Sequence, residues 1–220
     1  MKNKLIAALF IVVIYLAIKY LFPPFMIVMY PVVLLVTFLH EFGHAFFAVI
    51  TGGSVDAIQI NANGGGFAMI SGGFAPLVLL GGYVGSAIFG NLLFYIGVKM
   101  PRSSVGMLLF LSLIMIFVSL YWFNSLFTTA LLFFFAFIFI FIAVKKPTIS
   151  SYLLMILGLL SVIYILEDYK VGPSSDIHKF SQIFVFIPEQ IWMFVFLFIV
   201  LFITYLNIKT IIRQSGGDKS

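Results

Sequence analysis

Apolar stretches long enough to cross a bilayer follow one another along almost the whole chain. A hydrocarbon core about 30 Å thick calls for roughly 20 apolar residues per helix, and it admits only helices or closed barrels. Seven segments fit, at about residues 5–22, 25–50, 77–98, 107–121, 126–144, 149–166 and 191–212. Hydrophobic residues fill 63% of the 220 positions and charged ones 9%, a balance that no soluble domain can bury. The predicted fold class is an all-α polytopic membrane protein of about six or seven transmembrane helices. One domain over residues 1–214 and a flexible tail over 215–220 complete the expected organisation. The MKNK start resembles a signal peptide, but the apolar run behind it is too long for one and no A-x-A site follows. A retained membrane helix is expected there.

The composition excludes several functions. With no cysteine, disulfides, thiol catalysis and cysteine-held metals are ruled out. The net charge of +5 is spread thinly over the chain, with no basic cluster, so nucleic acid is not an expected partner. The lipid bilayer is.

Two intervals are not simple spans. Residues 54–73, SVDAIQINANGGGFAMISGG, alternate apolar and polar positions around an Asn-Gly turn and predict a small membrane-associated β-hairpin. Such a hairpin either packs on the helices or offers an edge to an extended peptide. Residues 167–190 hold four of the seven acidic residues and the third histidine. There Ser174 or Ser175 can cap a short amphipathic helix with Asp176 in its first turn.

Within the second apolar segment stands TFLHEFGHAFF. His40 and His44, four apart on a helix, leave the same face, and one metal ion can take both. Glu41 is placed to act on a water without being a ligand. This is the H-E-x-x-H pattern of zinc hydrolases, two ligands and a general base for attack on an amide carbonyl. Each ionisable group in hydrocarbon costs at least about 2.5–3.5 kcal/mol, so three within five residues argue for a compensating role.

A catalytic zinc takes three protein ligands. Four spans separate the histidines from the 167–190 interval, which returns that interval to their side of the membrane. Asp176 is the first choice for the third ligand, with Asp168, Glu167 and His178 open alternatives; Asp218 lies beyond a further span. In the third segment Gly81 and Gly85 form G-x-x-x-G, a surface that lets helices pack closely near the site, and Asn91 can add a hydrogen bond there.

The transmembrane H-E-F-G-H-A, the hairpin behind Gly52-Gly53 and the glycine-rich next helix resemble the site-2-protease class of intramembrane zinc metalloproteases. GPSSDIHKFSQIFVFIPEQIWMFVF resembles a compact branch limited to the protease domain, through Ser175, Asp176, Pro188 and Trp192. The resemblance covers about residues 37–202. Better-known members carry the third ligand in an Asp-Gly motif; this chain has no Asp-Gly, and Asp176 stands at a helix start instead.

The resemblance implies one Zn2+ per chain, a transmembrane protein or peptide as substrate, and a hairpin that presents it as an added strand, with Ile58, Ile60, Phe67 and Met69 meeting it. It also implies a multi-pass protein of the cell membrane with its active site toward the cytoplasmic face. The expected function is an intramembrane zinc endopeptidase with Glu41 as general base. The alternative is a non-catalytic, metal-binding membrane scaffold. Neither G-x-S-G nor G-x-G-D occurs, so serine and aspartyl intramembrane proteases are not matched. The charges conflict with a strict seven-span count. The MKNK start falls on one side, and Lys19, Lys99, Arg102, Lys145, Lys146, Lys209 and Arg213 fall on the other. Either one segment does not fully cross, or the N-terminus is outside.

Overall fold

The computed structural model describes residues 2–167, 172–173 and 175–217. Asp168, Ser174 and Asp218 lie outside the described residues. The chain is an all-α polytopic membrane protein; among the described residues it has one antiparallel hairpin and seven helical segments long and apolar enough to cross a membrane. The helices are α1 (Lys2–Leu21), α2 (Tyr30–Ile50), α3 (Ala75–Leu80), α4 (Ser86–Lys99), α5 (Ser103–Tyr121), α6 (Leu126–Lys145), α7 (Pro147–Glu167), α8 (Asp176–Ile183) and α9 (Glu189–Gly217). Strands β1 (Ser54–Ile60) and β2 (Gly66–Ser71) lie between α2 and α3.

Local signals account for the breaks. Pro23 and Pro24 open a 3-10 stretch, Pro23–Met29, that leads into α2. Pro31 sits in the first turn of α2, where a missing N–H leaves nothing unsatisfied. The third apolar segment is not one continuous α-helix: a π-helical turn, Gly81–Gly85, joins α3 to α4. Single π turns widen a helix locally and recur at functional sites. The cause here is contact: a Cβ on Gly43 would overlap the carbonyl of Gly81, and one on Gly85 would come within 3.2 Å of the Gly43 Cα. The backbones of α2 and the π turn touch because neither carries a side chain there.

The hairpin pairs Ile58 with Ala68 and Ile60 with Gly66, with an irregularity between Val55 and Ala57. Its turn closes through Asn61 N to the Gly65 carbonyl at 2.8 Å and needs a positive φ of 90° at Gly64. The hairpin lies along α2, tied by Thr37 Oγ1 to the Gly64 carbonyl at 2.6 Å and by Tyr30 Oη to the Ala62 carbonyl at 2.5 Å. Val55, Ala57, Ile58 and Ile60 point into the core.

Glycine also sets the packing of α4 on α7. A Cβ on Gly158 would collide with the Gly90 carbonyl and the Phe94 amide, and one on Gly97 would meet the Ser151 carbonyl at 2.7 Å. Helices in lipid gain their association from such close packing, because tails are as apolar as leucine. Gly158→Val should lower the stability of the folded protein by about 1–3 kcal/mol through overpacking. Thermal unfolding in detergent checks this; an unchanged midpoint contradicts the packing described.

Candidate metal centre

His40, Glu41 and His44 occupy the middle of α2, where the apolar stretch makes a helix certain and the i, i+4 spacing puts both imidazoles on one side. Asp176 arrives from far along the chain, at the first position of α8. Ser175 caps that helix, its Oγ accepting from the His178 amide at 3.1 Å. Ile177 and Phe180 anchor α8 in a buried cluster with Val36, Tyr83, Ile165 and Phe196. The Phe180 ring meets that of Trp192 at 4.7 Å and that of Phe196 at 5.0 Å. Two apolar anchors and a cap thus hold a helix of eight residues over the histidines.

Three atoms converge. Asp176 Oδ2 lies 3.1 Å from His40 Nε2 and 3.1 Å from His44 Nε2, and the two nitrogens are 3.2 Å apart. His44 Nδ1 is 2.7 Å from the Val78 carbonyl. A carbonyl only accepts, so Nδ1 donates and a neutral His44 is left with a lone pair at Nε2. That lone pair faces a carboxylate oxygen and a second ring nitrogen. Acceptors facing one another repel unless a proton or a cation lies among them. Tetrahedral ligands about 2.0–2.1 Å from a zinc ion stand about 3.3 Å apart, so this donor triangle fits such an ion with little movement. Fixing the ring through its other nitrogen is the usual support of a metal-binding histidine.

The surroundings hold the ligands in place. His40 meets the Tyr83 ring edge-on at 5.1 Å. Lys179 Nζ stands 3.6 Å from Asp176 Oδ1, leaving Oδ2 to the histidines. Burial alone would raise the Asp176 carboxyl, but its contacts with His40 and His44 override it and hold the group far below the usual carboxylate range. Asp176 therefore stands ionised, as a ligand must.

Glu41 is buried and lines the same cavity of about 720 Å³, together with His40, His44, Asp176 and Lys179. Another wall is β2, through Gly66, Phe67, Ala68 and Ile70. Gly66 permits this approach, since a Cβ there would press on Thr37 and on Glu41 Cγ. The Ile58 amide donates to the Trp122 carbonyl at 3.2 Å, and the Ile60 amide donates to Thr128 Oγ1 at 2.9 Å. The outer edge of β1 is thus covered by the α5–α6 turn. Residues opposite one another in an antiparallel ladder orient their backbone groups alike with respect to the partner strand. Ala68, opposite Ile58, therefore turns its N–H and C=O away from β1, on the side that faces the cavity.

The alternative third ligands stand elsewhere. His178 Nδ1 binds Glu189 Oε2 at 2.7 Å, and Glu167 Oε2 is held by Lys19 at 2.6 Å and Tyr15 at 2.5 Å. Two further expectations need correction. Ile58 and Ile60 cannot meet a substrate through their side chains, which are 0% and 1% exposed in the core; the accessible strand is β2. Phe67 lines the cavity, whereas Met69 is exposed but outside its lining. Asn91 does not serve the histidine helix. It bonds Thr204 at 3.0 Å and accepts from Asn207 at 2.8 Å, so it joins α4 to α9.

Sequence reasoning missed Gly82, Val78, Tyr83 and Lys179. The double glycine in LLGGYVG signals Gly82, whose absent Cβ makes room for both imidazoles. Lys179, three residues after Asp176 on a helix, was also readable. The Val78 carbonyl and the Tyr83 ring carry no such signature. Gly82→Ala should push the imidazoles apart and weaken zinc binding about tenfold or more. Zinc per chain in purified protein measures it, and wild-type retention contradicts the close approach.

A family model described as Peptidase M50B-like matches residues 5–207. The chain belongs to that family, a zinc-dependent family of intramembrane metalloproteases. No curated protein and no solved structure matches it.

Proposed function

From membership of that family we propose that the chain is an active intramembrane zinc endopeptidase. It would cleave peptide bonds in or near transmembrane segments of other membrane proteins. The observation that carries the reading is the convergence of His40 Nε2, His44 Nε2 and Asp176 Oδ2 beside the buried Glu41. His40, His44 and Asp176 would hold one zinc ion. When bound, zinc supplies a positive charge that acidifies water and polarises an amide carbonyl.

The protein's own groups do the rest. Val78 and Lys179 orient His44 and Asp176 from outside the ligand triangle. Glu41 takes a proton from the attacking water and returns it to the leaving amide nitrogen, as a general base and then acid. Its position one residue after His40 turns it toward the cavity without joining the ligand triangle. The substrate would lie along β2 as an added strand, with its backbone paired to Ala68 and a side chain against Phe67. An extended segment is what a peptidase needs, because helical hydrogen bonds otherwise screen the scissile carbonyl. α2, α3 and α8 wall the cavity that would receive that segment.

Two experiments test this. Glu41→Gln should keep about one zinc per chain and lose cleavage of a co-expressed membrane substrate by a factor of at least about 100. Asp176→Ala should lose the zinc. Unimpaired cleavage by Glu41→Gln sinks the mechanism, and absence of zinc in the wild type leaves the scaffold alternative ahead. Ala68→Pro removes one edge donor without opening the core. It should raise KM up to about tenfold at unchanged zinc content. An unaltered KM would argue against strand addition at β2.

A further inference from the structure

The two faces of the helical bundle carry different charge, and contacts between helix ends identify them. Lys4 Nζ donates to the Gly97 carbonyl at 2.6 Å and to Ser151 Oγ at 3.0 Å. Gly97 is near the end of α4 and Ser151 near the start of α7, so the beginning of α1 shares their face. At the far end of the same pair, Lys19 and Tyr15 hold Glu167, the last residue of α7. α1 therefore runs parallel to α7. In the same way α9 runs parallel to α4: Asn91 meets Thr204 and Asn207, and Tyr95 Oη meets Gln214 Oε1 at 3.2 Å.

These directions sort the charges. The α4–α5 turn places Lys99 and Arg102 on the face of Lys4, and the α6–α7 turn adds Lys145 and Lys146. The last turns of α9 bring Lys209 and Arg213 to it. Among the described residues no carboxylate lies on that face. The opposite face, where α7 ends and α8 lies, carries Glu167, Asp176 and Glu189 with Lys19 and Lys179. Short basic flanks stay on the cytoplasmic side of a membrane, because translocating them is unfavourable.

We infer that the basic face is cytoplasmic and that the His40–His44–Asp176 cavity opens to the extracytoplasmic side. This reverses the orientation that the family resemblance led one to expect. It also resolves the conflict in the charge count. Tyr30, at the start of α2, bonds the hairpin turn, and Thr51, at its end, accepts from the Phe74 amide at 3.0 Å beside α3. α1 ends beside Glu167 on the site face, and the Ala75–Lys99 span, which reaches the Lys4 face at Gly97, begins on the site face too, so the chain enters and leaves α2 on one side. α2 is the apolar helix that does not carry the chain across, and the MKNK start then joins the other basic flanks. Where this rests on the peptidase reading, it names the substrates: membrane segments cut near their extracytoplasmic ends.

The absence of cysteine makes the test direct. Single variants Gln182→Cys and Gln190→Cys mark the site face, and Ser103→Cys and Thr148→Cys mark the basic face; all four positions are exposed. A membrane-impermeant maleimide applied to intact bacterial cells expressing the full chain should label the first pair. The second pair should react only after lysis. The reverse pattern, or equal labelling of both pairs in intact cells, overturns the inference. Labelling requires neither zinc nor cleavage, so failure here leaves the peptidase reading intact. Failure of the Glu41→Gln test leaves the orientation intact.

Discussion

The site depends on one close approach, that of α2 to the π turn between α3 and α4. Gly43 lies against Gly81 and Gly85, and Gly82 lies beneath both imidazoles. Any side chain at these positions would hold the two backbones apart by the width of a methyl group. At that separation the Val78 carbonyl, 2.7 Å from His44 Nδ1, would lose its hold on the ring. The Nε2 lone pair would then no longer be directed at Asp176. The packing of helices in lipid and the chemistry of the candidate metal centre are therefore one problem. The same glycines that gain dispersion energy between helices also set the direction of a ligand.

The polar groups within the apolar bundle follow a second constraint. Hydrocarbon offers no water to satisfy a stray donor or acceptor. Asn91, Thr204 and Asn207 answer one another across α4 and α9, and Ser112 and Ser119 donate back to carbonyls of their own helix. Thr128 caps an edge of the hairpin from the start of α6, donating to the Ile60 carbonyl and accepting from the Ile60 amide. Against that background Asp176 Oδ2 and His44 Nε2 stand out, because both are acceptors once Nδ1 of His44 is engaged. A proton or a cation placed between them satisfies both.

The sequence made part of this legible. H-E-x-x-H, the glycine-rich third segment and the Asn-Gly turn have local causes, namely side-chain period, missing Cβ atoms and turn preference, and a reader can recover these from neighbours along the chain. Asp176 could be ranked among several carboxylates, because the number of crossings decides which side of the membrane each one reaches. What could not be read depends on contacts between distant segments. Ile58 and Ile60 look like strand residues open to a partner, yet the α5–α6 turn and α2 cover them. Asn91 sits on the glycine-rich helix, but its partner helix comes more than a hundred positions later. The direction of α1 was also beyond sequence, since it rests on Lys4 and Lys19 finding opposite ends of α7.

The hairpin shows how an edge can be left open without inviting aggregation. A free strand edge in water tends to pair with other chains. Here one edge is consumed by Trp122 and Thr128, and the other faces a cavity walled by α2, α3 and α8. Only an extended segment entering that cavity can reach the amides of β2. A segment paired there lies next to Glu41, because Gly66 brings the strand to within a side chain's reach of α2. The features that protect the edge are thus the ones that would align a peptide with the candidate metal centre.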